Sequence, residues 1–128
     1  MGFRLELVQV PVSDVDRAKA FYSERVGFSV DHDHTFSAEM RLVQLTPPGS
    51  ACSIAIGTGL SDMTPGSVQG LQLVVTDMDV ALAALVDRGV EVSEIRELGR
   101  ADRPSSRFVF LKDPDGNGWI GQEIRSPE

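Results

Sequence analysis

Cysteine, tryptophan and tyrosine occur once each in these 128 residues, histidine occurs twice, and aromatic residues make up only 6%. The lone Cys52 excludes an internal disulfide. Its place in the apolar, strand-like run Cys52 to Ile56 favours a small buried hydrophobe over a reactive thiol. Also missing is any run of the roughly 18 to 20 apolar residues that a membrane-spanning helix needs. The opening Met1 to Glu6 has no apolar core of the signal-peptide kind, so a cytoplasmic chain without a membrane partner is expected. Positive charge is in deficit: 12 Lys and Arg face 19 Asp and Glu, for a net charge of −7, and the basic residues are scattered. That balance opposes binding to phosphate backbones, so nucleic acid is not an expected partner. What is present is a 41% hydrophobic chain, long enough for one well-buried domain and too short for a second large one.

The chain is written twice. Val10-Pro-Val-Ser13-Asp14-Val-Asp16-Arg-Ala18-Lys-Ala20 lies over Leu73-Val-Val-Thr76-Asp77-Met-Asp79-Val-Ala81-Leu-Ala83 at a constant offset of 63 residues. The match runs on to Arg25 and Arg88, then to Gly27 and Gly89 after the loss of one residue. A single domain over 1–128 therefore divides into modules 4–57 and 68–125, joined by a turn-rich linker over 58–67. Each module opens with an apolar strand, Leu5 to Val12 or Leu71 to Val75, and passes at once into a helix. Ser13 and Thr76 are the expected N-caps, with Asp16 and Asp79 three residues on completing a capping box and favouring the positive helix end. Val15, Ala18, Phe21 or Tyr22, and Val26 recur at helical spacing, as do Met78, Leu82 and Leu85. Gly27 and Gly89 are placed to end the two helices in a left-handed conformation.

After each helix the period drops to two. Phe28 to Asp31, Met40 to Leu45 and Cys52 to Ile56 read as strands in the first module; Val90 to Ile95, Arg107 to Leu111 and Trp119 to Ile124 do so in the second. Pro47-Pro48-Gly49 and Asp113-Pro-Asp-Gly-Asn-Gly118 supply turns. The fold class is α+β: two tandem βαβββ modules, each a four-stranded mixed sheet with one helix. One face of each sheet is left uncovered, so that a concave cavity can form.

The segment Val10 to Tyr22, Val-Pro-Val-Ser-Asp-Val-Asp-Arg-Ala-Lys-Ala-Phe-Tyr, followed by Val26-Gly27-Phe28, resembles the opening of the vicinal oxygen chelate superfamily. That superfamily includes glyoxalase I, extradiol dioxygenases, fosfomycin-resistance enzymes and bleomycin-resistance proteins. Phe110-Leu-Lys-Asp113-Pro-Asp-Gly-Asn-Gly-Trp119 resembles its closing hairpin. The resemblance spans nearly the whole chain and implies the glyoxalase/bleomycin-resistance/dioxygenase fold, commonly as a homodimer. It also implies where a metal would sit. A His precedes the helix-opening Asp by seven residues in metal-dependent members, and a Glu follows the closing turn. The matching positions are Leu7, Gly70 and Ile120, with the remaining one near Ser53. Leu7, Gly70 and Ile120 have no side-chain lone pair to offer, whereas a divalent ion needs three or four donors. No metal cofactor is expected on these positions. His32 and His34, within Asp31-His-Asp-His34, are the remaining weak metal candidates; a solvated hairpin tip is the plainer reading.

Strand alternation then assigns faces. Val8, Val10 and Val12 should lie under the first helix, leaving Leu5, Leu7, Gln9 and Pro11 opposite; Leu71, Leu73 and Val75 leave Gly70, Gln72 and Val74. Gln9 and Gln72 are repeat equivalents. A buried amide without partners costs about 1 to 3 kcal/mol, so mid-strand glutamines suggest a hydrogen-bonding ligand, one another, or water. The candidate ligand pocket is Leu7, Gln9, Gln72, Val74, Phe108, Phe110, Ile120 and Gln122, an apolar wall with a few amides. Gln44 joins it if it shares that face. Glu123 is a weak catalytic candidate, turned inward only if a bulge interrupts its strand. Arg41 and Arg107 are surface charges or anion contacts, and Arg96, Arg100 and Arg103 belong to a loop that reads as a lid.

Three functions compete. The first is a metal-independent protein similar to bleomycin-resistance members, holding an amphiphilic or cationic small molecule. The second is a lyase, isomerase or dioxygenase of the glyoxalase type whose divalent metal uses non-standard ligands among His32, His34 and Glu123. The third is a metal-free enzyme in which glutamines orient substrate and a carboxylate moves a proton.

Overall fold

A computed structural model describes residues 1–99 and 106–124 of the chain. Its elements run β1 (Leu7–Gln9), α1 (Val15–Ala20), a π-helical continuation (Phe21–Val26), β2 (Ser29–Ser37), β3 (Met40–Thr46), β4 (Ser53–Thr58), β5 (Leu71–Val75), α2 (Met78–Asp87), β6 (Arg96–Leu98), β7 (Ser106–Lys112) and β8 (Gly118–Glu123). Two four-stranded sheets result, in the orders β1-β4-β3-β2 and β5-β8-β7-β6. In each sheet the first and last strands of the repeat pair in parallel and the other pairings are antiparallel. A parallel pair cannot be closed by a tight turn, so a helical crossover follows β1 and β5.

Two compact units divide the chain: Met1–Val68 with Asp113–Asn117, and Gln69–Lys112 with the segment from Gly118 on. In the first unit the core is Val10, Val43, Leu45, Ile54 and Ile56 from the sheet against Ala18, Phe21 and Tyr22 from the helix, all buried. Tyr22 packs edge-on to Phe21 and stacks on Phe28, with centroids 5.1 and 5.6 Å away. In the second unit Met78, Val109, Leu111 and Trp119 are the buried equivalents.

The helix starts differ from expectation by one residue. Asp14 and Asp77, both in extended conformation, are the N-caps, and their carboxylates accept from the backbone N–H of Arg17 and Val80 at 3.1 and 3.2 Å. A carboxylate at that position reaches an orphan N–H three residues on as well as a hydroxyl would, and it adds its charge to the dipole interaction. Ser13 bonds Asp115 instead, through both its N–H and its hydroxyl. At the other end Gly27 (φ +93°) and Gly89 (φ +78°) take the left-handed conformation that the sequence assigns them.

Six of the eight strands fall within a few residues of their expected places, and β6 and β2 do not. Val90 to Ile95 is not a strand: Val90 is buried, Val92 makes a single bridge to Leu111, and the pairing strand is Arg96–Leu98. Ser93 explains the displacement, because its hydroxyl accepts from Phe110 N at 2.9 Å and its N–H bonds Phe110 O, spending the partners a ladder would need. Arg96 is therefore a strand residue, not part of a lid; Arg100 and Arg103 lie outside the described residues. β2 is also longer than expected, so His32 and His34 sit in mid-strand and not at a hairpin tip.

Candidate functional site

Each sheet has one helix-covered and one helix-free face, and contacts within each unit identify them. In the first, Arg41 bonds Asp16 and Lys19 bonds Asp33, so residues in phase with Arg41, Val43 and Leu45 look toward α1. Leu42, Gln44, Thr46, Ser53 and Ala55 occupy the opposite face, as do Leu7 and Gln9, the ladder partners of Ser53 and Ala55. This settles Gln44 as a residue of the helix-free face. Around the C-terminal ends of β1 and β4 lies a cleft of about 230 Å³, lined by Gln9 and Pro11, by Ala55 and Gly57, and by Leu60 and Met63 of the linker. Gly57 is obligatory here, since a Cβ would fall 2.0 Å from Arg41 O.

In the second unit the expected residues share one face. Gln72 and Val74 pair with Ile120 and Gln122 across β5 and β8, and Phe108 and Phe110 pair with Gln122 and Ile120 across β7 and β8. Arg107 bonds Asp79 and Glu123 bonds Met78 N, so the alternate residues take the α2 side. The face holding Gln72 is thus helix-free, and Val74 is 61% exposed on it. The amide of Gln72 donates to Gln122, which satisfies the pair within one sheet. Arg96 lays its guanidinium 5.6 Å from the Phe110 ring centroid.

Glu123 does not turn inward. β8 pairs with both neighbours without a register shift, so Glu123 is buried on the helix side, where its carboxylate accepts from Met78 N at 2.8 Å and from Arg107 at 3.5 Å. Its place is the N-terminus of α2, and the condition for a catalytic role is not met. His32 and His34 share the helix-free face of the first sheet by their pairing with Gln44 and Leu42, and His34 lies edge-on to Phe36 at 4.4 Å. Among the described residues no group of three or more His, Cys, Asp or Glu is disposed to hold a metal ion. The side chains at the family's ligand positions, Leu7, Gly70 and Ile120, do not fit a metal. Cys52 is half-buried just ahead of β4. None of the described helices is long and apolar enough to cross a membrane.

Sequence reasoning missed two polar constellations. The first joins β2, β3 and β4: Asp31 bonds Thr46, Thr46 lies 2.6 Å from the Ser53 hydroxyl, and Gln44 donates to Ser53 at 3.2 Å. The second surrounds the buried Asp113. One of its oxygens accepts from Tyr22 OH and Asn117 Nδ2 at 2.7 and 2.8 Å, and the other from Asn117 N and Asp115 N at 2.9 and 3.0 Å. The Asp113 to Gly118 turn signalled its own shape; nothing in it named Tyr22 as a partner.

The family described as the Glyoxalase/Bleomycin resistance protein/Dioxygenase superfamily matches residues 4–120. TnmS3, an antibiotic-binding protein from Streptomyces sp. CB03234, is 36% identical, with 94% of this chain and 95% of that one covered and a TM-score of 0.79. A superfamily member from Sphaerobacter thermophilus DSM 20745 is 28% identical over 95% of this chain and 98% of its own, with a TM-score of 0.80. The protein YetH of Bacillus subtilis (strain 168) is 27% identical over 117 residues, 91% of this chain and 94% of that protein.

Proposed function

Since the chain belongs to the Glyoxalase/Bleomycin resistance protein/Dioxygenase superfamily, we propose that it is a binding protein that holds a small organic molecule on its helix-free sheet faces without using the superfamily metal. The observation that carries this reading is the helix-free face of the second sheet. Val74, Phe108, Phe110 and Ile120 form an apolar shelf there, with one internally bonded amide pair, Gln72 and Gln122, at its centre. Apolar surface of that kind is costly to leave in water, and a few satisfied polar groups are what orients a ligand without anchoring a reaction. Leu7 and Gln9 offer a smaller version on the first sheet. The similarity to TnmS3, an antibiotic-binding protein, supports an antibiotic as the ligand class. The absence of lone pairs at positions 7, 70 and 120 supports metal independence. We also propose a homodimer located in the cytoplasm; light scattering on the eluted protein checks the first and fractionation of expressing cells the second.

The test is a thermal-shift and equilibrium-dialysis screen against bleomycin and a set of antibiotics of different chemical classes, run on protein purified without chelator. Saturating ligand at about 100 times its Kd should stabilise the protein by about 2.7 kcal/mol. The Phe108→Ala/Phe110→Ala double variant should fold and lose the shift, and elemental analysis should find no stoichiometric metal. A bound transition metal, or a large shift on adding Ni, Zn, Mn or Fe(II) alone, would move the reading to a metal-dependent lyase, isomerase or dioxygenase.

A further inference from the structure

We propose that the helix-free face of the first sheet carries a receptor for a protonated amine, centred on the Asp31 carboxylate, with the Gln44 amide oxygen at the other end of the same hydrogen-bond relay. The proposal rests on the small-molecule reading above and specifies the ligand chemistry that reading leaves open.

Hydrogen-bond polarity along a chain of four side chains sets the chemistry of this face. The ladder between β2 and β3 slips between Val30 and His32, and the extra residue, Asp31, turns its carboxylate to the side of Thr46. An ionised carboxylate only accepts, so the single hydroxyl proton of Thr46 is committed to Asp31. The Thr46 to Ser53 contact at 2.6 Å must then have Ser53 as donor. With its own proton spent, Ser53 can only accept from Gln44, which fixes the Gln44 amide with Nε2 toward Ser53 and Oε1 directed away. The relay therefore runs one way, from amide through two hydroxyls to carboxylate. Its carboxylate end only accepts, and its amide end presents the acceptor Oε1 beside one remaining N–H. Among the described residues no donor is recorded on Gln44 Oε1 or on the second oxygen of Asp31.

Charge points the same way. β2 carries two carboxylates on opposite faces. Asp33, on the helix side, is paired with Lys19 and Arg41 at 2.7 and 2.8 Å. Asp31 is exposed, and no described Lys, Arg or His forms an ion pair with it. Thr46 occupies one Asp31 oxygen, so the two-oxygen fork that a guanidinium prefers is not open, whereas a primary ammonium, a compact charge with three donors, needs only the remaining oxygen. His32, opposite Gln44, flanks the site, and Leu42 continues the same face as apolar support for the rest of the molecule.

The test uses dansylcadaverine, a fluorescent aromatic sulfonamide ending in a primary amine, and its N-acetyl derivative, titrated by fluorescence into the full chain. The amine should bind about tenfold more tightly than the acetylated form, as expected for hydrogen bonds to a charged group. Asp31→Asn should abolish that preference without changing the melting temperature. Asp33→Asn removes the same formal charge from the other face and should keep it. Equal affinity of the two probes, or a preference that survives Asp31→Asn, overturns the amine assignment and leaves the small-molecule reading standing. If neither probe binds, the amine assignment fails, and the small-molecule reading is decided by the antibiotic screen alone.

Discussion

Asp33 shows how much a single carboxylate contributes when its partners are fixed. Hydrogen bonds from Arg41 and then Lys19 hold its carboxyl far below the usual carboxylate range, against a smaller opposing effect of desolvation. The same contact keeps the Arg41 guanidinium charged above its ordinary value. A carboxyl whose pKa falls on folding adds stability that is fully present above its unfolded value of about 4 and is lost as the pH drops through the lower folded value. Asp33→Asn should therefore cost about 1 kcal/mol at pH 7, limited by solvent screening at a partly exposed site. The gap between variant and wild type in urea melts should close progressively below about pH 4; a constant gap down to acid pH would refute the assignment. Asp113 works by satisfaction, not exposure. Asp113→Ala strips partners from Tyr22 OH and from Asn117, which is fully buried, and should destabilise by about 3 kcal/mol. Tyr22→Phe, which removes only one donor, should cost about 1 kcal/mol.

At the scale of elements, the two helix starts show what periodicity reveals and where it stops. The repeat together with hydrophobic period and turn chemistry located both helices, both terminal glycines and six of the eight strands within a few residues. It missed the capping residue by one, since Ser13 and Asp14 are both competent caps and a contact over 102 residues, Ser13 to Asp115, decides between them. It missed β6 because Ser93 diverts its backbone partners, another long-range choice. The start of α2 carries a third such case. Glu123 on β8 accepts from Met78 N, and Arg107 on β7 bridges Asp79 and Glu123, so the helix end is held from the sheet below it. Arg41 and Asp16 repeat the arginine-to-helix contact in the first unit. Glu123→Ala leaves a buried N–H without its acceptor and Arg107 without one partner. It should lower the urea midpoint by the equivalent of about 2 kcal/mol at unchanged m-value, whereas the exposed Asp79→Ala should cost less than half as much.

For the molecule as a whole, the duplicated βαβββ order was legible because each half is a complete pattern of one amphipathic helix and alternating strands, and the family resemblance agreed with it throughout. The candidate site was legible only by face: alternation grouped Gln72, Val74, Phe108, Phe110, Ile120 and Gln122 correctly, while the Asp31 relay depended on a bulge that alternation cannot see. The net charge of −7 acts at this largest scale, since it is not tied to any one contact. Lowering ionic strength from physiological to about 10 mM lengthens the screening distance from about 8 to about 30 Å, and the whole acidic chain then attracts a cation. Association of dansylcadaverine should accelerate several-fold under that change while its dissociation, governed by the local acceptors, stays nearly constant. The acetylated probe, having no charge to steer, should show neither effect. Stopped-flow traces at the two salt levels separate these cases: salt dependence confined to dissociation would place the attraction in the local contact alone, and equal salt dependence for both probes would remove charge from the account.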